Sequence, residues 1–152
     1  MLTVKTLLAP DAFGGTGLFA ADFIKSGTRL WSYDPAVDFF YTLEDYVRLP
    51  LEKRKDIGRH VYPTYLGGAA GIMYSLDNDR YMNHSEQPNA GRRKMHGMDS
   101  SIFDARNDSV YALADIPAGG EITANYFHFL PEGFTDYFSE HIPLLSFLRT
   151  KS

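Results

Sequence analysis

The sequence predicts a single, mainly β domain, and three observations support this. The chain has 152 residues, which is the usual length of one domain. Residues of the apolar classes make up 44% of it, a normal fraction for a folded protein with a core. Its regular segments are short, and 13 glycines and 8 prolines punctuate them. The pattern is therefore one of many short strands with little helix.

The first half of the chain alternates short strands with turns and holds the best helical stretch. Strands are expected at 2–8, 18–23, 28–33, 61–65 and 72–76. The helical stretch covers 39–56, where Thr42 and Asp45 have the spacing of a capping box. Pro50 should divide this stretch into two short helices, because proline lacks the backbone N–H and clashes with the preceding turn.

The second half begins with a polar, turn-rich segment at 78–93 and continues as strands. These strands are expected at 100–105, 109–114 and 121–126. The remaining segment, 127–148, is rich in aromatic residues and has room for one short helix. The sequence has no internal repeat and no low-complexity tract.

Composition and charge exclude several classes of function. The chain has no cysteine, which excludes disulfide scaffolds, cysteine-bound zinc and cysteine nucleophiles. The five histidines lack the spacing of a metal site, so no metal is expected. The formal charge of −4 argues against direct nucleic-acid binding and suits a basic partner. Pro10 and Asp11 end the apolar run near the N-terminus, so we expect no signal peptide. No stretch approaches the ~18 apolar residues of a membrane span. The expected setting is a reducing, cytoplasm-like compartment, which the absence of cysteine fits.

Two polar segments are candidates for chemistry. Gly15, Thr16 and Gly17 lie between two expected strands, where glycines form a plain turn or let backbone N–H groups approach a ligand. The segment 83–89, Asn-His-Ser-Glu-Gln-Pro-Asn, forms a hydrogen-bonded loop or part of a site. Its adjacent histidine and serine suggest a hydrolase triad, but the chain has no GxSxG elbow to support one.

Three motifs, taken in order, resemble those of the SET domain of protein lysine methyltransferases. They are Gly-Thr-Gly-Leu-Phe-Ala at 15–20, Asn-His-Ser-Glu-Gln-Pro-Asn at 83–89, and the segment from Tyr111 to Tyr126 that contains Asp-Ile-Pro-Ala-Gly-Gly-Glu-Ile-Thr. The resemblance covers about residues 3–130. It implies a β-clip of small sheets with a C-terminal pseudoknot, a short helical insert at about 34–71, and a SET domain at 1–130 followed by a tail or lid at 131–152.

The resemblance also implies a cofactor and a set of site residues. The cofactor is S-adenosylmethionine, without zinc, and the substrate is a protein with an exposed lysine. Residues implied to bind the cofactor are Gly15, Thr16, Gly17, Asn83 and His84. Tyr126 is the implied catalytic tyrosine, and Tyr33 and Tyr74 are candidates for the substrate channel. The oligomeric state stays open.

The chain departs from the family pattern at two positions near the catalytic tyrosine. Asn125 replaces a common acidic residue, and Ala124 stands where many members carry the Phe or Tyr that limits the number of methyl groups added. The absence of cysteine indicates a minimal member without the cysteine-rich zinc tail, so the aromatic segment 127–148 is expected to supply the lid.

Two functions remain open from the sequence. The first is methyl transfer to a lysine amine, for which an aromatic channel beside a sulfonium would favour the neutral amine over the ammonium. The second is a SET-like binding module without activity. Residues 107–148 contain six acidic residues and no Lys or Arg, so a basic protein would fit either function, although a solvated acidic face explains the same pattern.

Overall fold

The computed structural model describes residues 1–93 and 103–129 of the chain. Within these residues it contains ten short strands in three sheets, two short α-helices and two 3₁₀ turns. The strands are β1 (Thr6–Pro10), β2 (Thr16–Ala20), β3 (Arg29–Ser32), β4 (Asp38–Thr42), β5 (Val61–Leu66), β6 (Ala69–Ser75), β7 (Asn83–His84), β8 (Ala90–Arg92), β9 (Ser109–Ala112) and β10 (Thr123–Ala124). The helices are α1 (Leu43–Arg48) and α2 (Leu51–Gly58), and the 3₁₀ turns are Asn78–Tyr81 and Tyr126–His128. The predicted mainly β class is confirmed.

Three sheets divide the structure. β1 and β2 form an antiparallel pair, and β4, β6 and β5 form an antiparallel sheet with β6 in the middle. The third sheet has five strands in the order β3-β9-β8-β10-β7. This last sheet brings residues distant in the sequence together and therefore positions the candidate site.

The closing strand β10 lies between β7 and β8 and is parallel to both. Thr123 pairs with Asn83, and Ala124 pairs with His84 on one side and Ala90 on the other. Asn89, in the loop that joins β7 to β8, fastens the inserted segment. Its side-chain nitrogen donates to the Glu121 carbonyl at 2.7 Å, and its side-chain oxygen accepts from the Thr123 amide at 2.9 Å. This insertion is the predicted pseudoknot.

Two clusters of buried side chains hold the sheets together. The larger cluster lies around the five-stranded sheet and contains Leu18, Leu30, Trp31, Ile116 and Ile122 among its members. The smaller cluster, Tyr46, Val61 and Ile72, joins α1 to the three-stranded sheet. Because burial of apolar surface is the main favourable term in folding, these clusters provide the support on which the polar site rests.

The predicted helical stretch 39–56 is wrong at its start. Residues up to Thr42 form β4, because the aromatic residues there pair along β6 instead of continuing as helix. The helix begins after Thr42, whose hydroxyl accepts from the Asp45 amide as the capping spacing predicted. Pro50 separates α1 from α2 as expected.

Several strand boundaries also differ from the prediction. β1 begins at Thr6 rather than at residue 2, and the strand expected at 121–126 shrinks to β10. The turn-rich segment 78–93 contains two strands that the sequence does not predict, β7 and β8, and both are too short to show a pattern. Of the strand expected at 100–105 only residues 103–105 are described, where Asp104 forms a parallel bridge with Tyr65. Most of 127–148 lies outside the described residues.

Candidate active site

The loop before β2 is organised around one carboxylate. Asp11 Oδ1 accepts from the backbone N–H groups of Gly15 and Phe13, both at 2.8 Å, and its own amide donates to the Gly15 carbonyl at 3.1 Å. These hydrogen bonds, with that from Gly15 the strongest, hold the pKa of Asp11 below its usual value. The carboxylate is therefore ionised at neutral pH and fixed beside the Gly15-Thr16-Gly17 segment.

Asn83 joins this loop to the closing segment. Its side-chain nitrogen donates to Asp11 Oδ2 at 3.0 Å and to Glu121 Oε1 at 2.8 Å. Gly17 lies against the same groups, since a Cβ there would be 2.6 Å from Glu121 Oε1 and 3.2 Å from the Asn83 nitrogen. All three sequence motifs thus meet at one polar point, although 72 residues separate Asn83 from Asp11.

His84 fixes the backbone at Tyr126. Its Nδ1 accepts from the Tyr126 amide at 3.1 Å, so the neutral ring carries its proton on Nε2. The imidazole also packs against the Tyr126 ring, with centroids 5.3 Å apart, and meets the Phe127 ring edge-on at 5.4 Å. The structure therefore brings His84 and Tyr126 together, as the resemblance implied.

The Tyr126 hydroxyl donates a hydrogen bond to the carbonyl oxygen of Met82. Burial of the phenol raises its pKa well above 10, and the nearby Glu121 charge acts in the same direction. The hydroxyl therefore stays protonated at neutral pH. The hydroxyl can accept a hydrogen bond from an amine, but it is a poor base for removing a proton from one.

Tyr126 lines a cavity of about 70 Å³ between the two larger sheets. Five aromatic side chains line it, namely Trp31, Tyr62, Phe103, Tyr126 and Phe129. Four charged or titratable side chains also line it, namely Arg59, His60, Asp79 and Arg80. Ala124 lies on the wall as well, and its small side chain leaves space that a larger residue would fill.

The two candidate channel tyrosines differ in position. Tyr33 packs against the larger core cluster and does not belong to the described cavity wall. The Tyr74 hydroxyl accepts from Arg80 Nη1 at 3.3 Å, and its ring shares the smaller cluster with Tyr126. Tyr74 therefore contacts a residue of the cavity wall, Arg80, without lining the cavity itself. The described contacts of Tyr33 include no such hydrogen bond to a residue of the wall.

Three residues of the site escaped the sequence analysis. Asp11 and Glu121 both bond to Asn83, and Asp79 lies in the cavity. Each lies in a segment whose pattern indicates only a turn or a strand, and its place in the site depends on contacts between segments that are distant in the sequence. No group of three or more metal-binding side chains occurs within residues 1–93 and 103–129. In those same ranges no helix has the length and apolar character that a membrane span requires.

The chain belongs to the SET domain family, whose model matches residues 15–127. It is 23% identical to a chain of the Chaetomium thermophilum Polycomb Repressive Complex 2 bound to GSK126, with a TM-score of 0.58 over 90% of this chain and 17% of that chain. It is 19% identical to the Neurospora SET domain protein DIM-5, a histone lysine methyltransferase, with a TM-score of 0.53 over 86% of this chain and 55% of that chain.

A third similar structure is nearer in size. A candidate histone methyltransferase of Plasmodium falciparum is 21% identical, with a TM-score of 0.52 over 82% of this chain and 95% of that chain. The chain spans only about a sixth of the Chaetomium chain, and all three identities are below 25%, so these likenesses support the fold. No curated protein matches the sequence significantly.

Proposed function

We propose that this protein transfers a methyl group from S-adenosylmethionine to the side-chain amine of a protein lysine. The observation that carries this proposal is the meeting of the three motifs at Asn83, with Tyr126 directed into an adjacent aromatic cavity. Membership of the SET family supports it, since the family's members include lysine methyltransferases. The cofactor supplies an electrophilic methyl group bound to a sulfonium.

The residues around Asn83 fit the amino-acid part of that cofactor. Asp11 and Glu121 offer carboxylates to a cationic amino group, and the Asn83 oxygen can accept too, because both of its hydrogen bonds use the nitrogen. Any side chain at position 17 would clash with Glu121. Because glycine has none, a ligand can approach the backbone of Thr16 and Gly17 closely. Gly15, Thr16, Gly17, Asn83 and His84 are therefore the proposed binding residues.

Tyr126 is the proposed catalytic residue because its hydroxyl lies where an amine in the cavity would meet it. With its proton donated to the Met82 carbonyl, the phenol oxygen presents lone pairs to the N–H groups of the amine. Two oxygens, the phenol of Tyr126 and the carbonyl of Met82, can thus orient the nitrogen. Orientation of this kind is the main contribution that a protein makes to an in-line displacement.

The proposed substrate is a basic protein, and the proposed location of the enzyme is a reducing intracellular compartment. The support from charge is weaker than the sequence suggested, because three of the six acidic residues of 107–148 have partners within the fold. Asp108 pairs with Arg92 at 2.9 Å, Asp115 accepts from the Ser26 amide at 2.8 Å, and Glu121 accepts from Asn83. The other three lie outside the described residues.

The alternative is a binding module that holds a partner without methylating it. This alternative predicts that the Asn83 cluster binds no S-adenosylmethionine. Calorimetry with the cofactor alone separates the two functions, because a methyltransferase must bind it and a pure binding module need not.

The experiment that tests the proposed function compares Tyr126→Phe with Asn83→Ala. Tyr126→Phe removes one hydroxyl, so we expect cofactor affinity within a few-fold of the wild type and a fall in single-turnover methyl transfer of about 10²-fold. Asn83→Ala should instead weaken cofactor binding by about 1–3 kcal/mol, because it leaves the site's carboxylates without their shared donor.

Tyr111→Phe is the matched control, since it removes the same hydroxyl from β9 outside the cavity wall. We expect it to leave cofactor affinity and turnover unchanged. Near-normal turnover in Tyr126→Phe would contradict the role of Tyr126, and Tyr74 and Tyr33 would then be the tyrosines to examine.

A further inference from the structure

Three residues that line the cavity beside Tyr126 each carry a buried polar atom without a hydrogen-bond partner in the described part of the chain. They are Asp79, a residue only 8% exposed, through Oδ1; Trp31, a residue 2% exposed, through Nε1; and Arg80 through Nε. A buried polar atom that lacks a hydrogen bond costs free energy, so such atoms are uncommon unless a ligand or water satisfies them. Of the three, Asp79 Oδ1 is the one that can only accept a hydrogen bond, and it shares the cavity with Tyr126.

The turn that carries Asp79 is also the turn that supports the catalytic tyrosine. The Met82 amide donates to the Asp79 carbonyl at 2.9 Å, and the Met82 carbonyl accepts from the Tyr126 hydroxyl. The backbone of Met82 therefore forms hydrogen bonds with both the backbone of Asp79 and the Tyr126 phenol. A group held by the phenol in this cavity has a carboxylate on the same wall.

The surroundings of the Asp79 carboxyl favour its uptake of a proton. Burial raises its pKa from 3.8 to about 7, and the charges of Asp38 and Asp77 act in the same direction. The Ser75 hydroxyl, which donates to the carboxylate, and the Met1 ammonium oppose this rise. Tyr62, which also lines the cavity, has its pKa raised by burial and by the charges of Asp79 and Asp38, so it is protonated at neutral pH.

Three basic side chains share the cavity wall with Asp79. Arg59 is exposed and so lies at the mouth of the cavity. The His60 ring packs on Tyr81 at 5.0 Å, and burial together with the Arg80 charge lowers its pKa, which keeps it mainly neutral at pH 7. The Arg80 guanidinium bonds to the Tyr74 hydroxyl and lies over the Tyr81 ring.

We propose that Asp79 receives the proton of the substrate amine in this cavity, an inference that rests on the proposed function. An N–H bond of the ammonium breaks, its electron pair stays on the nitrogen, and the proton forms an O–H bond with Asp79 Oδ1. The amine and the carboxylic acid are then both neutral. A neutral pair is favoured in a buried site, where an ion pair would lose its hydration. The proton later leaves to solvent through the mouth.

This assignment gives the lysine a base that Tyr126 cannot supply. An exposed lysine has a pKa of about 10.4, so almost all of it is protonated near pH 7. A general base works best when its pKa is close to the working pH. Asp79 meets that condition, whereas the raised pKa of Tyr126 keeps the phenol in its acid form.

The competing explanation is one buried water that bridges Trp31 Nε1 and Asp79 Oδ1. Such a water would satisfy both atoms and leave the carboxylate with no part in catalysis. It predicts that Asp79→Asn and Trp31→Phe have similar, small effects and that no amine binds beside Asp79.

The first experiment measures binding of n-butylamine to the full chain at neutral pH, with 1-butanol as the uncharged probe of the same shape. We expect Asp79→Asn to weaken amine binding at least tenfold and to leave 1-butanol binding unchanged. Asp77→Asn is the matched control, because both Asp77 oxygens bond to backbone amides, of Leu2 and Asn78, and the residue does not line the cavity. Equal amine affinity in Asp79→Asn and the wild type would overturn the assignment.

The second experiment measures the pH profile of methyl transfer in the same variants. We expect a deficit of about 10²-fold for Asp79→Asn at pH 7, shrinking as the pH approaches the lysine pKa and free amine becomes abundant. A purely structural role would give a deficit that does not depend on pH. An active enzyme with an unchanged Asp79→Asn profile contradicts this inference alone, whereas a wild type that binds no S-adenosylmethionine contradicts the proposed function itself.

Discussion

At the scale of single residues, Asn83 joins two segments of the site that are distant in the sequence. Its one amide nitrogen contacts a carboxylate from the loop before β2 and another from the segment before β10. The sequence motif predicted Asn83 as a binding residue, but nothing in the sequence predicted its two partners. Asp11 lies in an ordinary turn and Glu121 in an expected strand, so their role depends on a contact between distant segments.

Gly17→Ala tests how closely a ligand must approach this point. The new Cβ would lie 2.6 Å from Glu121 Oε1, so the carboxylate must move away from Asn83. We expect cofactor affinity to fall at least tenfold, by about 1.4 kcal/mol or more, while the thermal stability changes little because the displaced group is the end of a flexible side chain. Isothermal calorimetry measures the affinity, and unchanged binding would contradict the proposed location of the cofactor.

Asp79 should make stability depend on pH in a way that its neutral isostere abolishes. Its pKa is about 7 in the folded protein and 3.8 without the fold, so the folded state binds the proton more tightly. Its contribution to stability is therefore fully present below pH 4 and is lost as the pH rises through 7.

Urea unfolding at pH 5 and pH 8 measures this loss. We expect the wild type to lose about 1–4 kcal/mol between these values relative to Asp79→Asn. Asp77→Asn, as the control, should keep most of this loss and fall slightly short of the wild type, because the Asp77 charge is one of the smaller causes of the raised pKa of Asp79. A parallel pH dependence in Asp79→Asn and the wild type would show that the carboxyl has an ordinary pKa.

At the scale of elements, the sequence predicts the helix boundaries that depend on neighbouring residues. It does not predict the strands that depend on pairing with distant segments. The cap at Thr42 and the break at Pro50 depend on neighbours in sequence, and both occur where expected. Strand β4 was read as helix because its aromatic residues show no clear period. Strand β8 has three residues, of which Ala90 and Gly91 are small, and it exists because β9 and β10 lie on either side of it.

The centre of the three-stranded sheet offers a sharp test of packing. A Cβ at Gly71 in β6 would lie 2.2 Å from the Tyr41 carbonyl oxygen and 2.5 Å from the Phe40 ring, and neither the backbone nor a packed ring can move cheaply. We expect Gly71→Ala to lower the free energy of unfolding by about 3 kcal/mol or more.

Gly91→Ala provides the matched control for this substitution. Its Cβ would meet Leu113 Cδ1 at 3.0 Å, the end of a flexible and exposed side chain. We expect a cost of about 1 kcal/mol or less, as for an ordinary tolerated substitution. Equal midpoints for the two variants in urea unfolding would mean that β4 and β6 are less tightly packed than the structure shows.

At the scale of the whole molecule, the end of the described chain contributes one aromatic residue to the cavity wall. Phe129 is buried, meets Phe103 edge-on at 4.8 Å and lines the cavity, whereas the nearby Phe127 is exposed. The sequence predicts a lid from 127–148, and the structure describes residues 127–129 of that segment. Whether the domain divides at residue 130 stays a prediction, as does the lid role of Phe134, Tyr137 and Phe138.

The whole chain should fold and act without a metal ion. It has no cysteine, and a methyl transfer by displacement needs no Lewis acid. We therefore expect the midpoint of thermal unfolding and the methyl-transfer rate to be the same before and after treatment with excess EDTA. A fall in either one would reveal a metal site that the histidine spacing failed to indicate.

The insertion of β10 between β7 and β8 has a consequence for biosynthesis. The hydrogen bond that joins Tyr126 to His84 spans 42 residues, so His84 leaves the ribosome long before its partner. At about 5–20 residues per second, the interval lasts several seconds. During that interval β7 and β8 each have an edge that is not yet paired with β10. The nascent chain is then open to wrong pairing, and β10, the last of the described strands to be made, completes both the sheet and the site in one step.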